Sequence, residues 1–235
     1  MKNPSLPDLL TFETESPLGP PADVVLIRKE IDAFFRTLAE DGKRVGSHVW
    51  GIYAFYDYDG EPIYVGQTYE GLGSRISRHL TNQRTDAVAM NVLDPFEVAS
   101  ITVWPLDLAA MSKEERREYL DRAEFTVFQK VINESKLGAV LNEKRPKEME
   151  LIDLPKSYAR RIIPDAIYHH RKHPDVRIAR RAATIASLAR RISERSVKRG
   201  LRNTLLTQAK RLERLAKTRL DDFPEGVEDE DQKSD

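Results

Sequence analysis

The chain has 235 residues, 40% hydrophobic and 32% charged, with no cysteine, which excludes disulfides and thiolate metal sites. No apolar run approaches the roughly 20 residues of a bilayer span, and the N-terminus lacks a basic-then-apolar signal pattern, so a soluble cytoplasmic protein with no membrane contact is expected. The formal net charge of zero hides a segregation: residues 156–220 carry 19 basic and 4 acidic side chains, whereas residues 49–155 carry 12 and 18, and residues 221–235 carry 1 and 8.

Residues 1–22 contain five prolines and little periodicity, which predicts an irregular arm. From Asp23 to Glu40, Val24, Val25, Ile27, Ile31, Phe34, Phe35 and Leu38 recur near helical spacing, a helix expected to pack on the domain after it. Val49 to Tyr56 is aromatic and β-branched, Asp59-Gly60 is a turn signal, and β character resumes from Pro62 to Val65: a hairpin. Centred on that turn, it pairs Phe55 with Tyr64 and Tyr53 with Gly66. Period-two alternation then puts Tyr53 and Tyr64 on one face, and a slip of one residue would separate them.

Gly71 and Gly73 mark a turn, with Ser74 as the expected cap of a helix on which Arg75 and His79, four apart, share a face. Val98 to Trp104 reads as a third strand stopped by Pro105. Ser112-Lys113-Glu114-Glu115 is a capping box opening a helix to about Asn133. Leu120, Ala123, Val127, Phe128 and Val131 form its apolar stripe. Glu124 stands inside that stripe, which is costly for a carboxylate unless it is paired or binds a cation.

Ser135 to Asn142 is a loop containing Gly138. Pro146, Pro155 and Pro164 suggest a linker. Helices are expected at about Asp175–Lys198, with a stripe of Ile178, Ala182, Ile185, Leu188, Ala189 and Ile192, and at about Leu201–Leu220, with Leu205, Leu206, Ala209, Leu212 and Leu215. Gly200 separates them, giving a basic helical hairpin. The organisation expected is an arm and helix over 1–48, an α+β domain over 49–150, a basic helical region over 151–220 and a disordered acidic tail over 221–235.

Gly51-Ile52-Tyr53, Tyr64-Val65-Gly66, Arg75, His79, Glu124 and Asn142, in that order, resemble the GIY-YIG nuclease superfamily over about residues 49–145. The resemblance implies an α+β fold, a small three-stranded antiparallel sheet flanked by helices, here joined to the basic hairpin. It implies a DNA endonuclease dependent on Mg²⁺ or Mn²⁺. Tyr53 would take a proton from the attacking water or position it, Tyr64 would contact the scissile phosphate or assist proton transfer, Arg75 would stabilise negative charge, and His79 would relay a proton. Glu124 would be the sole protein ligand of the metal. Asn142, with Asn133 as its alternative, would bind the phosphate or orient other groups. Val65 replaces the motif isoleucine, and Gln67 stands where a lysine often follows.

Taken singly, these residues have plainer readings: tyrosines favour strands, and Arg75 and His79 could be a solvated face. The complete ordered set is what points to catalysis. A small catalytic domain grips little DNA alone, so the +15 stretch is expected to add phosphate contacts, through Arg180, Arg181, Arg190, Arg191, Lys198 and Arg199. A role in restriction or defence against foreign DNA is the first expectation, with a homodimer on duplex DNA. A structure-specific repair nuclease and an inactive nucleic-acid-binding protein are the alternatives.

Overall fold

The computed structural model describes residues 21–80, 94–142 and 144–223. Most of the expected irregular arm and of the acidic tail lies outside them.

The hairpin forms as β1 (Trp50–Tyr56) and β2 (Pro62–Thr68). Tyr53 pairs with Gly66 and Phe55 with Tyr64, and the register slips only at Tyr56, which faces Pro62. Between the strands Asp57 N–H donates to Glu61 O, and Gly60 takes φ 72°, a conformation that costs glycine little.

On the other side of β1 lies β3 (Ser100–Leu106). Pro105, expected to stop this strand, sits within it opposite Gly51. A fourth strand, β4 (Tyr158–Arg161), pairs with Ser100–Val103 only, so Pro105 falls where one edge of β3 is unpaired and a missing N–H is tolerated. The sheet is therefore four-stranded, in the order β2-β1-β3-β4, rather than three-stranded, and part of the expected linker is a strand.

Both faces of the sheet are covered. Ile52, Ala54, Val65, Trp104 and Leu106 pack against α3 (Lys113–Glu134) through Leu120, Ala123, Val127, Phe128 and Val131, the stripe expected from its spacing. Its capping box is present, Ser112 accepting from Glu115 N–H while Glu115 accepts from Ser112 N–H. The alternate residues, Tyr53, Phe55, Ile101 and Val103, face α1 (Ala22–Phe35) and α2 (Leu72–Leu80). Each fully buried aliphatic or aromatic side chain here is worth about 1.5–3 kcal/mol. Ser74 lies inside α2 and donates to Glu70 O and Gly71 O, so it is not the cap.

After β4, Ile162 and Ile163 enter the same core as Tyr53, as do Leu188 and Leu201 from later helices. These helices are α4 (Asp165–Lys172), α5 (Pro174–Glu194) and α6 (Arg199–Asp221), so the expected hairpin is preceded by a further helix. The buried faces of α5 and α6 differ from the expected stripes. They are Arg177, Arg181 and Leu188 on α5, and Leu201, Thr204, Gln208, Arg211 and Leu215 on α6, while Ala182, Ala189, Leu206 and Ala209 are exposed.

The arginines of these faces find partners beside the sheet. Asp57 Oδ2 accepts from Arg181 Nη2 at 2.9 Å and from Arg211 Nη2 at 2.8 Å, and Arg177 Nη2 lies 3.4 Å away. Glu97 Oε2 accepts from Arg181 Nε at 3.1 Å. Three arginines are thereby pinned to a turn of the hairpin and to a short helix (Pro95–Glu97) before β3. No described helix is long and apolar enough to cross a membrane.

Candidate active site

Strand pairing decides the first half of the site. Tyr53 and Tyr64 project from one face, their ring centroids 6.1 Å apart, and Tyr53 is wholly buried. α2 brings His79 to them: its Nε2 lies 3.0 Å from the Tyr53 hydroxyl, and its ring is 5.4 Å from that of Tyr64. Arg75, one turn earlier, interacts with both phenols. Burial alone would weaken its hold on the proton, but Tyr53, Tyr64 and Glu70 outweigh burial and hold its pKa above the ordinary value. Its Nη1 reaches Glu70 Oε1 at 3.3 Å, while its Nε is buried without a hydrogen-bond partner among the described residues. The side chain as a whole keeps 32% of its surface, so it is a positive charge within reach of a phosphate oxygen.

Two glycines make this geometry possible. A Cβ on Gly66 would stand 2.6 Å from the Tyr53 hydroxyl and 2.8 Å from Tyr64 Cε1. A Cβ on Gly51 would meet Leu72 of α2 and the Trp104 carbonyl oxygen, each at 2.9 Å. Any side chain at either position displaces the groups that hold the site.

Glu124 and Asn142 are placed around β2, the edge strand. Asn142 bonds the backbone of Val65 on both sides, accepting from Val65 N–H at 3.1 Å and donating to Val65 O at 2.7 Å. Its loop is tied down by Glu61, which accepts from Ser135 and from the N–H groups of Lys136 and Leu137. With both ends of the amide engaged, Asn142 orients the strand that carries Tyr64. The alternative Asn133 is exposed near the end of α3.

Glu124 comes from the α3 side of the sheet and meets Gln67. The Gln67 amide donates to Asp121 Oδ1 at 2.8 Å and to Glu124 Oε2 at 3.2 Å. Burial and then the Asp121 charge push the Glu124 pKa up to about 7, against which the Gln67 hydrogen bond works. Gln67 and Asp121 line one cleft together with Arg75 of the tyrosine–histidine cluster, and Glu124 is not part of its lining.

Among the described residues no group of three or more His, Asp or Glu could hold a metal. One half-buried carboxylate beside a second, bridged among the described residues by the Gln67 amide, is an oxygen donor set that a hard cation retaining most of its waters would fit. Gln67 and Asp121 escaped the sequence reading as members of this group, because nothing in their spacing shows that β2 and α3 pack face to face.

The expected DNA contacts divide. Arg181 is corrected: it is buried between Asp57 and Glu97. Arg180 is largely buried, with Nε and Nη2 both 3.0 Å from Asp94 Oδ2. Arg190 is exposed but paired with Glu194, and Arg191 is half-buried. Lys198 and Arg199 are exposed at the start of α6, and Arg199 lines a cleft of about 440 Å³ with Asn142, Arg145 and Lys210.

Residues 49–120 match the family model of the GIY-YIG catalytic domain, which indicates a nuclease-type function. The match contains Tyr53, Tyr64, Arg75 and His79 and ends before Glu124. No curated protein and no solved structure matches the chain.

Proposed function

We propose that this chain, with a GIY-YIG catalytic domain over residues 49–120, is a DNA endonuclease that hydrolyses phosphodiester bonds with a divalent cation held at Glu124. The observation that carries it is the 3.0 Å contact between the Tyr53 hydroxyl and His79 Nε2, beside the partly exposed guanidinium of Arg75. An ordinary phenol titrates near 10 and is a poor base alone. With the imidazole in the tautomer that leaves Nε2 unprotonated, Tyr53 passes its proton to His79 while taking one from water. The water oxygen bonds to phosphorus, the bond from phosphorus to the leaving sugar oxygen breaks, and that oxygen is reprotonated from solvent. Arg75 holds a non-bridging oxygen and offsets the charge that gathers there.

Bound at Glu124, Mg²⁺ or Mn²⁺ would supply positive charge beside the phosphate and a polarised water. Asn142 keeps β2, and with it Tyr64, in place. Restriction or defence, and a homodimer on duplex DNA, come from the resemblance alone.

The test is a cleavage panel of plasmid, linear duplex, flap and junction DNA with Mg²⁺ and with Mn²⁺. The wild type is expected to cut at least one of these, and Arg75→Ala to lose roughly 100- to 1,000-fold in rate at unchanged circular dichroism. An intact panel under both metals would overturn the proposal.

A further inference from the structure

Arg75 lines a cleft of about 970 Å³. It runs from Gln67 and Arg75 along the first turns of α3, past Trp50, Tyr69, Lys113, Arg116 and Arg117. Four of the side chains lining it are cations, against the two carboxylates Glu114 and Asp121, and Asp121 is held by Gln67.

Three of those cations sit at the start of a helix, where the macrodipole is already positive. There they cost stability rather than add it. Lys113 and Arg117 are exposed and form no ion pair among the described residues. Arg116 is fixed, its Nε donating to Met111 O and Ser112 O and its guanidinium 5.1 Å from the Trp50 ring centroid. Tyr69, just past the end of β2, leaves 76% of its surface uncovered. Exposed aromatic surface within a row of unpaired cations is the combination that binds the backbone and bases of a single strand.

We infer that this cleft holds the substrate strand next to the scissile phosphate, with its phosphates on Lys113, Arg116 and Arg117 and an unpaired base stacked on Tyr69. This rests on the nuclease reading and adds the substrate class: DNA with an unpaired nucleotide beside the cut, as in a flap or a single strand. A base inside a duplex is already stacked on both faces and has none to offer the ring.

The test uses the full chain carrying Glu124→Gln, so that bound DNA stays uncut. Affinity is measured by fluorescence anisotropy for single-stranded, 5′-flap and duplex oligonucleotides. 2-Aminopurine placed beside the junction reports stacking. Adding Tyr69→Ala is expected to weaken flap and single-strand binding by roughly 5- to 100-fold and to abolish the 2-aminopurine quench. Duplex affinity should be unchanged, and Tyr69→Trp should restore both signals. Replacing Lys113 and Arg117 by Ala should flatten the dependence of log affinity on log salt by about 1.4 for the single strand.

Tyr69→Ala without effect on flap and single-strand binding, or with an equal loss on duplex, overturns the assignment. If the wild type nevertheless cuts DNA, the nuclease reading stands while the cleft assignment falls. Binding that depends on Tyr69 in a chain that cuts nothing would separate them the other way.

Discussion

At the scale of residues, the site is an arrangement of close contacts that only particular side chains allow. Tyr53 with Tyr64, and Arg75 with His79, could be paired from the sequence by alternation on the strands and a step of four on α2, whereas the meeting of the two pairs was implied by the resemblance. Gly66 could be recognised in the motif, but the ring lying over its Cα could not. Gln67 read only as a departure from the motif's usual lysine, whereas its amide bridges Asp121 and Glu124. A carboxyl pushed up to about 7 from an ordinary 4.5 binds its proton more tightly in the folded chain. Ionising it as the pH rises through that interval therefore costs stability, at most on the order of 3 kcal/mol. Glu124→Gln is expected to raise Tm relative to wild type above about pH 8 without divalent ions, and to leave it nearly unchanged below about pH 5. It should also abolish the Tm increase that Mg²⁺ or Mn²⁺ gives the wild type. An equal Tm difference at both pH values would show that the carboxylate is not strained.

At the scale of elements, polar pairing chose the faces that α5 and α6 bury. An apolar stripe was visible in each helix, yet Arg177, Arg181 and Arg211 point inward because Asp57 and Glu97 wait there. No periodicity in one helix can reveal a partner on a distant turn. β4 was illegible for a related reason: Tyr158–Arg161 is mostly exposed and lacks alternation, and only its partner β3 makes it a strand. Burial alone would raise the Asp57 pKa, but Arg211, Arg181 and Arg177 outweigh burial and hold it below the usual carboxylate value. Its contribution to stability is therefore present at neutral pH and is lost as pH falls through that lowered value. Asp57→Asn leaves three guanidinium groups short of a partner and is expected to cost about 3–5 kcal/mol in urea unfolding. Part of the difference from wild type should vanish under acid, below about pH 4. A variant as stable as wild type at neutral pH would mean that the arginines do not depend on Asp57.

At the scale of the whole molecule, charge that is segregated along the chain is largely paired in space. The +15 stretch and the acidic stretch before it fold onto each other, through Arg177, Arg180, Arg181 and Arg211 on Asp57, Asp59, Asp94 and Glu97. Arg160 and Lys156 reach back to Glu30 and Glu40. Counting charges by segment therefore overstates the surface available to DNA, and Lys198 and Arg199 are among the cations of this stretch left exposed. Replacing those two by Ala is expected to weaken duplex binding evenly across sequences and to reduce the salt slope by about 1.8. Arg181→Ala should lower Tm without that signature, and the reverse pattern would place the DNA contact on the wrong face of α5.

The rate of the chemical step in Tyr53→Phe tests the central claim most directly, because that change removes one oxygen atom from a buried ring and leaves its packing. Single-turnover cleavage of a labelled DNA substrate, with the variant's fold checked by near-ultraviolet circular dichroism, is expected to slow by roughly 100-fold or more. Cleavage at the wild-type rate by the phenylalanine variant would contradict the account.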